Sequence, residues 1–392
     1  MTTFKDFLLK KELLKSLKQN SFDHPSEVQE QCIPKAITNK DILCQAKSGT
    51  GKTAVFVLSS LQKLNNFTGK MEQNLRNPAP TPKIVVVVNT KELAVQVTNE
   101  YKRFLGDFKG VETLSLYGGR KLQEITAEIA EKSKTAKIEI CVSTPGKLKE
   151  LAEGGMLDLS EVHTFIVDEC DQLMGRPELR HQVHVSFLKT PAKKQSMFFS
   201  ATFTEQSKQI CEKYLRDPFT VIVDEQKLTL HGLEQLYAEI KSENVFDAKM
   251  QALEKILDDN KEIIQCVIFV KNPSSAEKIA NRLNMKLFPT VSITSREDTK
   301  QRLSKFEAFK NFEQRILVST NVMSRGIDIA DVNFVVNFDM PENAQTYLHR
   351  VGRAGRFETK GTAISFVGSP EDVEVLNDIQ RRFEVSIKLF SL

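Results

Sequence analysis

A chain of 392 residues, 40% hydrophobic and 27% charged, is too long for one ordinary domain and carries enough apolar material for about two. Its 55 Lys and Arg exceed its 51 Asp and Glu by four, which permits a nucleic-acid partner without arguing for one, because any basic surface would have to be local. The six cysteines stand singly, at Cys32, Cys44, Cys141, Cys170, Cys211 and Cys266, so neither a zinc ribbon nor a disulfide framework is indicated. His181 and His184 have the spacing of metal ligands on a helix, but nothing nearby completes a set, and solvated surface histidine is the commoner outcome. The opening MTTFKDFLLKKELLK has no signal-peptide core, and no apolar run reaches membrane-spanning length. A soluble intracellular protein of a reducing compartment is expected.

In chain order, the apolar DILCQ ends at a Gly-rich loop, and a helix is expected over AVFVLSSLQKL. Residues 65–82 are polar and Pro-rich and read as a mobile surface loop. IVVVV (84–88) reads as a strand and TKELAVQVTNEYKRFL (90–105) as a helix; FIVDE (165–169) and MFFSAT (197–202) are further strands. Asp224–Glu234 is the best candidate for a break between domains. Beyond it, CVIFV (266–270), RILVST (315–320), FVVNF (334–338) and AISFV (363–367) read as strands and SSAEKIANRLNM (274–285) as a helix. Unbroken rather than alternating apolar runs suit strands buried on both faces, and strand–helix alternation reads as doubly wound α/β. The organisation expected is residues 1–223, a linker at 224–234, and residues 235–392.

Ala46-Lys47-Ser48-Gly49-Thr50-Gly51-Lys52-Thr53 lies between a strand and a helix, where backbone N–H groups and the helix N-terminus can surround phosphate oxygens. Lys52 would neutralise the β- and γ-phosphates and the Thr53 hydroxyl would ligate Mg²⁺. Asp168-Glu169-Cys170-Asp171 ends a buried run, at the edge where such sheets bind ligands. Asp168 would hold Mg²⁺ through water, and Glu169 would orient and deprotonate the attacking water. Alone, this tetrapeptide is an acidic turn; with a phosphate loop upstream it supplies the second part that phosphoryl transfer needs. Ser200-Ala201-Thr202 ends another strand and is a candidate link between nucleotide and second domain. In His349-Arg350-Val351-Gly352-Arg353-Ala354-Gly355-Arg356, a continuous helix would put Arg353 and Arg356 on one face beside a thin glycine stripe, as arginine fingers require. A basic surface helix is the bland alternative, but two glycines within it would cost about 1 kcal/mol each without return.

Together these motifs resemble the DEAD-box RNA helicases over nearly the whole chain, which implies two RecA-like domains joined by a short linker. Phe22, Pro25, Ser26 and Gln29 resemble the family's adenine-reading Q motif, with Phe4 at the position of its upstream stacking aromatic. Asn89-Thr90-Lys91-Glu92-Leu93-Ala94, Gly118-Gly119 and Thr144-Pro145-Gly146-Lys147 are similar to segments that line RNA on domain 1. The resemblance implies RNA contacts at Lys91, Gly119, Thr144, Pro145, Gly146 and Lys147, and in domain 2 at Val270, Arg302 and Thr320. It also places Gly326 and Asp328 at the nucleotide with Arg353 and Arg356, and gives Asp171, Ser200, Thr202 and His349 a coupling role. ATP and Mg²⁺ are the cofactors implied.

DECD in place of DEAD, with LCQAKSGTGKTAVFVL, KLTLHGL and RFEVSI, looks like the DECD subgroup, nuclear ATPases of splicing and of mRNA export through the TREX assembly. That implies a nuclear, monomeric protein with RNA, export adaptors and splicing proteins as partners and no membrane. Lys91 and Lys147 stand where the family usually has Arg, and Asn321 where motif V usually has Asp. In Thr294–Arg302 only Arg302 survives of the expected pattern; a Gln is usual at Thr299. The subgroup's N-terminal extension is expected to be missing. Two rivals use the same motifs: an ATP-gated RNA clamp that nucleates an assembly with little unwinding, and a DNA-directed ATPase, which the Q motif and the RNA-like segments disfavour.

Overall fold

The computed structural model describes residues 2–46, 49–65, 79–222, 232–321, 332–354 and 361–391. It divides into two compact units, Met1–Val223 and Asp224–Leu392. Most of the expected linker and of the 65–82 loop lies outside the described residues, and Leu233 and Glu234, read as the linker's end, instead open a strand.

In the first unit β1 (Ile42–Gln45), β2 (Ile84–Val87), β3 (Val111–Leu116), β4 (Lys137–Ser143), β5 (Thr164–Asp168), β6 (Gln195–Ser200) and β7 (Phe219–Ile222) form a parallel sheet in the order β3-β4-β2-β5-β6-β1-β7. Successive side chains of a strand point to opposite faces. Ile84, Val86, Ile166 and Cys44 enter one apolar cluster and Val85, Val87, Phe165 and Leu43 the other. Both faces are therefore covered, by helices Lys52–Leu61 and Lys91–Phe104 on one side and Pro145–Glu153 and Pro177–Leu188 on the other. That is why the strands read as unbroken apolar runs.

The second unit repeats the plan with β8 (Leu233–Glu239), β9 (Gln265–Phe269), β10 (Thr290–Ile293), β11 (Ile316–Ser319), β12 (Val332–Asn337), β13 (Gly361–Val367) and β14 (Lys388–Leu389). Their order is β10-β11-β9-β12-β13-β8-β14, all parallel among the described residues. Here Val267, Phe269 and Val335 face one cluster while Cys266, Ile268 and Val336 face the other.

Each of the seven apolar runs is a strand. Three of the strands without such a run have evident reasons. β3 and β8 are buried only in part, and β4 carries Glu139, buried and paired with Lys83 at 2.7 Å. All six cysteines are buried and free, and no described helix is long and apolar enough to cross a membrane.

Candidate functional site

Ala46 closes β1 by donating its N–H to Ser200 O at 3.1 Å, so the Gly-rich loop leaves the sheet beside the end of β6. Gly49 and Gly51 have φ of 81° and 84°, and helix Lys52–Leu61 starts directly after Gly51. A Cβ on Gly51 would stand 2.2 Å from Gln29 Nε2, a side-chain end that would have to move, and the left-handed backbone is what requires glycine there. Gln29 Nε2 donates to Gly51 O at 3.2 Å and Ser26 Oγ to Thr50 O at 2.7 Å, tying helix Glu27–Ala36 to the loop. Ser26 and Gln29 also cap that helix reciprocally. Phe22 is half-buried under the Arg103 guanidinium at 5.2 Å, and Phe4 is buried with its ring against Phe7 and Phe22. Lys52 Nζ turns back to Ala46 O at 2.5 Å, and Thr53 stays partly exposed on the first helical turn. Ser48 lies outside the described residues.

Strand order brings the acidic motif to this loop, because β5 and β1 flank β6. Asp168 is the last residue of β5, and Glu169 adopts a left-handed φ of 53° that turns the chain into helix Cys170–Gly175. Both are buried. Burial pushes the Asp168 carboxyl up to about 6; the Lys52 charge and the Glu169 N–H, donating at 2.9 Å, oppose the rise, and Asp171 adds to it. Asp171 collects the end of β6: its carboxylate accepts from Ser200 Oγ at 2.9 Å and Thr202 Oγ1 at 3.2 Å. The structure thus brings Asp171, Ser200 and Thr202 into one buried network. Cys170 is fully buried in the apolar cluster that also holds Leu173 and Cys211, where a small apolar filler fits.

The other half of the same edge is formed by β3, β4 and β2. Thr144 N donates to Leu116 O and Val88 N to Ser143 O, both at 2.9 Å, which aligns Gly119, Thr144–Lys147 and Lys91 along three neighbouring strand ends. Gly119 and Gly146 are exposed, Lys91 and Thr144 partly exposed, and Pro145 buried. Lys147 Nζ pairs with Glu150 at 2.9 Å. Arg120, not anticipated from the sequence, braces the turn beside Gly119: it donates to Ser115 O and to Glu128, both at 2.6 Å.

In the second unit Val270, Thr320 and Arg302 follow β9, β11 and β10, again three adjacent strands. Val270 is fully buried, so contact through its backbone is what remains to it. Arg302 lies on the first turn of helix Thr299–Lys310, half-buried. His349 sits in helix Ala344–Val351, but Arg353 does not: Gly352 caps that helix, and Arg353 lies in the turn beyond, its Nε donating to His349 O at 3.1 Å. The expectation of one helical face shared by Arg353 and Arg356 is corrected accordingly. Glycine ends the helix instead of lining it. Gly326, Asp328 and Arg356 lie outside the described residues.

Arg350 is the residue that motif reading passed over. It is 1% exposed, and its guanidinium reaches Asn321 Oδ1 at 2.9 and 2.7 Å, Asn337 Oδ1 at 3.1 Å and Asp339 O at 2.7 Å, over the Phe269 ring at 5.1 Å. Burial lowers it to about 10, opposed by Asp339 and Glu342. The burial of Arg350 is a property of the fold that the motif's charges do not announce.

His181 and His184 are exposed, with His184 Nδ1 3.1 Å from Tyr214 OH, and no cluster of three or more His, Cys, Asp or Glu side chains that could hold a metal occurs among the described residues. Residues 26–210 match the family model for DEAD/DEAH box helicases and residues 248–358 that for the helicase conserved C-terminal domain. The ATP-dependent RNA helicase SUB2 of Saccharomyces cerevisiae is 45% identical over 390 residues, covering 99% of this chain and 83% of that protein. The chain belongs to the DEAD-box helicase family. The ATP-dependent RNA helicase uap56 of Schizosaccharomyces pombe is 43% identical over 98% of the chain and 85% of its own length. S. cerevisiae Dbp5 bound to RNA and ADP BeF3 superposes with a TM-score of 0.87 at 26% identity, over 100% of this chain and 96% of that one. Family membership agrees with the two parallel-sheet α/β units.

Proposed function

We propose that this chain is an ATP-dependent RNA helicase that hydrolyses ATP on the β5-β6-β1 edge of its first unit when RNA engages both units. The observation that carries the reading is that edge itself: phosphate loop, buried carboxylates and hydroxyl network, from three distant stretches of sequence, meet on adjacent strands. Gln29, with Phe22 and Phe4, would receive adenine. Ala46 and the loop from Ser48 to Thr53 would hold the phosphates, with Lys52 balancing their charge. Glu169 would take the proton of the water whose oxygen attacks the γ-phosphorus as the bond to the ADP oxygen breaks. The Thr53 hydroxyl and Asp168 carboxylate are hard oxygen donors near Lys52 and suit Mg²⁺, which when bound offsets phosphate charge. Arg353, and from the sequence pattern Arg356, Gly326 and Asp328, complete the assignment in the second unit. Asp171, Ser200, Thr202 and His349 are assigned to coupling, and Lys91, Gly119, Thr144–Lys147, Val270, Arg302 and Thr320 to the RNA backbone.

Kinship with SUB2 and uap56 and the DECD signature support nuclear residence and work in splicing and mRNA export with adaptor proteins, the chain itself monomeric. Exclusively cytoplasmic staining, with no retention of polyadenylated RNA on depletion, would remove that part and leave the chemistry standing.

The chemistry is tested by ATP turnover with RNA and with matched DNA, beside displacement of a short duplex. RNA should stimulate and DNA should not. Lys52→Ala should abolish turnover, whereas Glu169→Gln should keep ATP and RNA binding and lose turnover. Normal hydrolysis by Lys52→Ala would remove the proposed site. RNA-stimulated turnover without strand displacement would favour an ATP-gated clamp.

A further inference from the structure

We infer that Glu150 is a built-in competitor of RNA at the Thr144–Lys147 segment, holding the Lys147 ammonium that a phosphate would otherwise take. The inference rests on the RNA reading above. Helix Pro145–Glu153 begins in that segment, and the Thr144 side chain makes no capping hydrogen bond. Pro145 has no N–H, so the donors left at this helix start are backbone groups from Gly146 on. Lys147 stands in the first turn, which contains no acidic residue, and a cation there is opposed by the helix dipole. One turn on, Glu150 supplies the missing anion: its two carboxylate oxygens lie 3.1 and 2.9 Å from Lys147 Nζ. The Lys147 side chain is only 9% exposed whereas that of Glu150 is 56% exposed, so the pair sits where a buried stem meets solvent. The Glu150 carboxylate is thus free to swing away when a phosphate oxygen arrives at the exposed Gly146 beside it.

A phosphate bound here must first displace a carboxylate, which lowers affinity and offsets the counterion gain expected of a lysine contact. Neutralising Glu150 should restore both. The same helix carries an internal control, because Glu153 pairs instead with Lys149 at 2.8 Å.

The experiment measures binding of a fluorescent single-stranded RNA to the full chain with a non-hydrolysable ATP analogue, across a salt series. The proteins are wild type, Glu150→Gln, Glu153→Gln, Lys147→Ala and the Glu150→Gln, Lys147→Ala double variant. Glu150→Gln should bind about three- to tenfold more tightly at low salt, with a log–log salt slope steeper by about 0.7. Glu153→Gln should change affinity less than twofold, and the double variant should match Lys147→Ala alone. Equal tightening by Glu150→Gln and Glu153→Gln would reduce the effect to general charge and overturn the inference. A silent Glu150→Gln with a weakened Lys147→Ala would overturn it and leave the RNA assignment intact. Equal affinities of Glu150→Gln and the double variant, with Lys147→Ala silent, would overturn both.

Discussion

Asp168 sits at the end of β5 with 6% of its surface exposed, and its carboxyl is raised to about 6 from an ordinary 3.8. An acid raised in the folded state loses stabilising power as pH climbs from its unfolded to its folded value, so above pH 6 its ionisation works against folding. Asp168→Asn should therefore abolish ATP turnover while stabilising the nucleotide-free protein at pH 7.5 by on the order of 2 kcal/mol, read as a higher melting temperature. The gain should shrink towards pH 4. Melting curves at three pH values check this, and a lower melting temperature at pH 7.5 would show that the Lys52 charge outweighs burial. Arg350 has the opposite character, a buried cation held by the neutral amides of Asn321 and Asn337. The Asn at position 321, a departure from the family's usual Asp, leaves this guanidinium satisfied in hydrogen bonds but without a carboxylate partner among the contacts described.

At the scale of elements, strand order does what sequence order cannot show. Phosphate loop, acidic motif and Ser200–Thr202 are far apart along the chain, yet β5, β6 and β1 are neighbours; β3, β4 and β2 do the same for the RNA-assigned segments. The opposite, amino-terminal edge is a polar weld. Gln195 Nε2 donates to Ala36 O at 2.8 Å and Lys40 O at 2.6 Å, its Oε1 accepts from Lys63, and Thr164 Oγ1 meets His163 Nδ1 at 2.9 Å. Burial, with Lys63 and Lys83 nearby, drops His163 to about 4. A base depressed in the fold keeps its full contribution above its unfolded value of 6.5 and loses it as pH falls towards 4. Stability should thus decline on acidification through that window. Because the ring is only partly buried, the slope should stay below the ~1.4 kcal/mol per pH unit of a fully decoupled proton. His163→Asn should flatten it in denaturant titrations at pH 7, 6 and 5; an unchanged slope would place the acid sensitivity elsewhere.

None of this amino-edge weld was legible, since its side chains are polar residues flanking apolar runs, and only the fold brings them together. The motifs with charge or glycine at fixed spacing were legible, because the spacing itself encodes the turn. Gly352 was misread for a related reason: a glycine's cost inside a helix argues equally for function and for a helix that has already ended.

On the proposed RNA assignment, affinity for the molecule as a whole is assembled from contacts of which several are weaker than usual for the family. Lys91 and Lys147 offer point charges where a forked guanidinium is usual, and Lys147 is engaged by Glu150. In the second unit Arg302 is what survives of the family pattern in its segment, on the helix after β10 and next in strand order to Thr320. A single-stranded contact to one phosphate contributes about 0.7 to the salt slope and no base preference. Arg302→Ala should accordingly weaken RNA binding on the order of tenfold with an ATP analogue present and flatten the log–log slope by about 0.7, equally for RNAs of different sequence. Without nucleotide both proteins should bind weakly and differ little, because contacts on one unit alone are too few to hold the strand. An Arg302→Ala salt curve that overlies wild type would show that this helix does not meet RNA. Loss of affinity for one sequence only would show that it reads bases, not backbone.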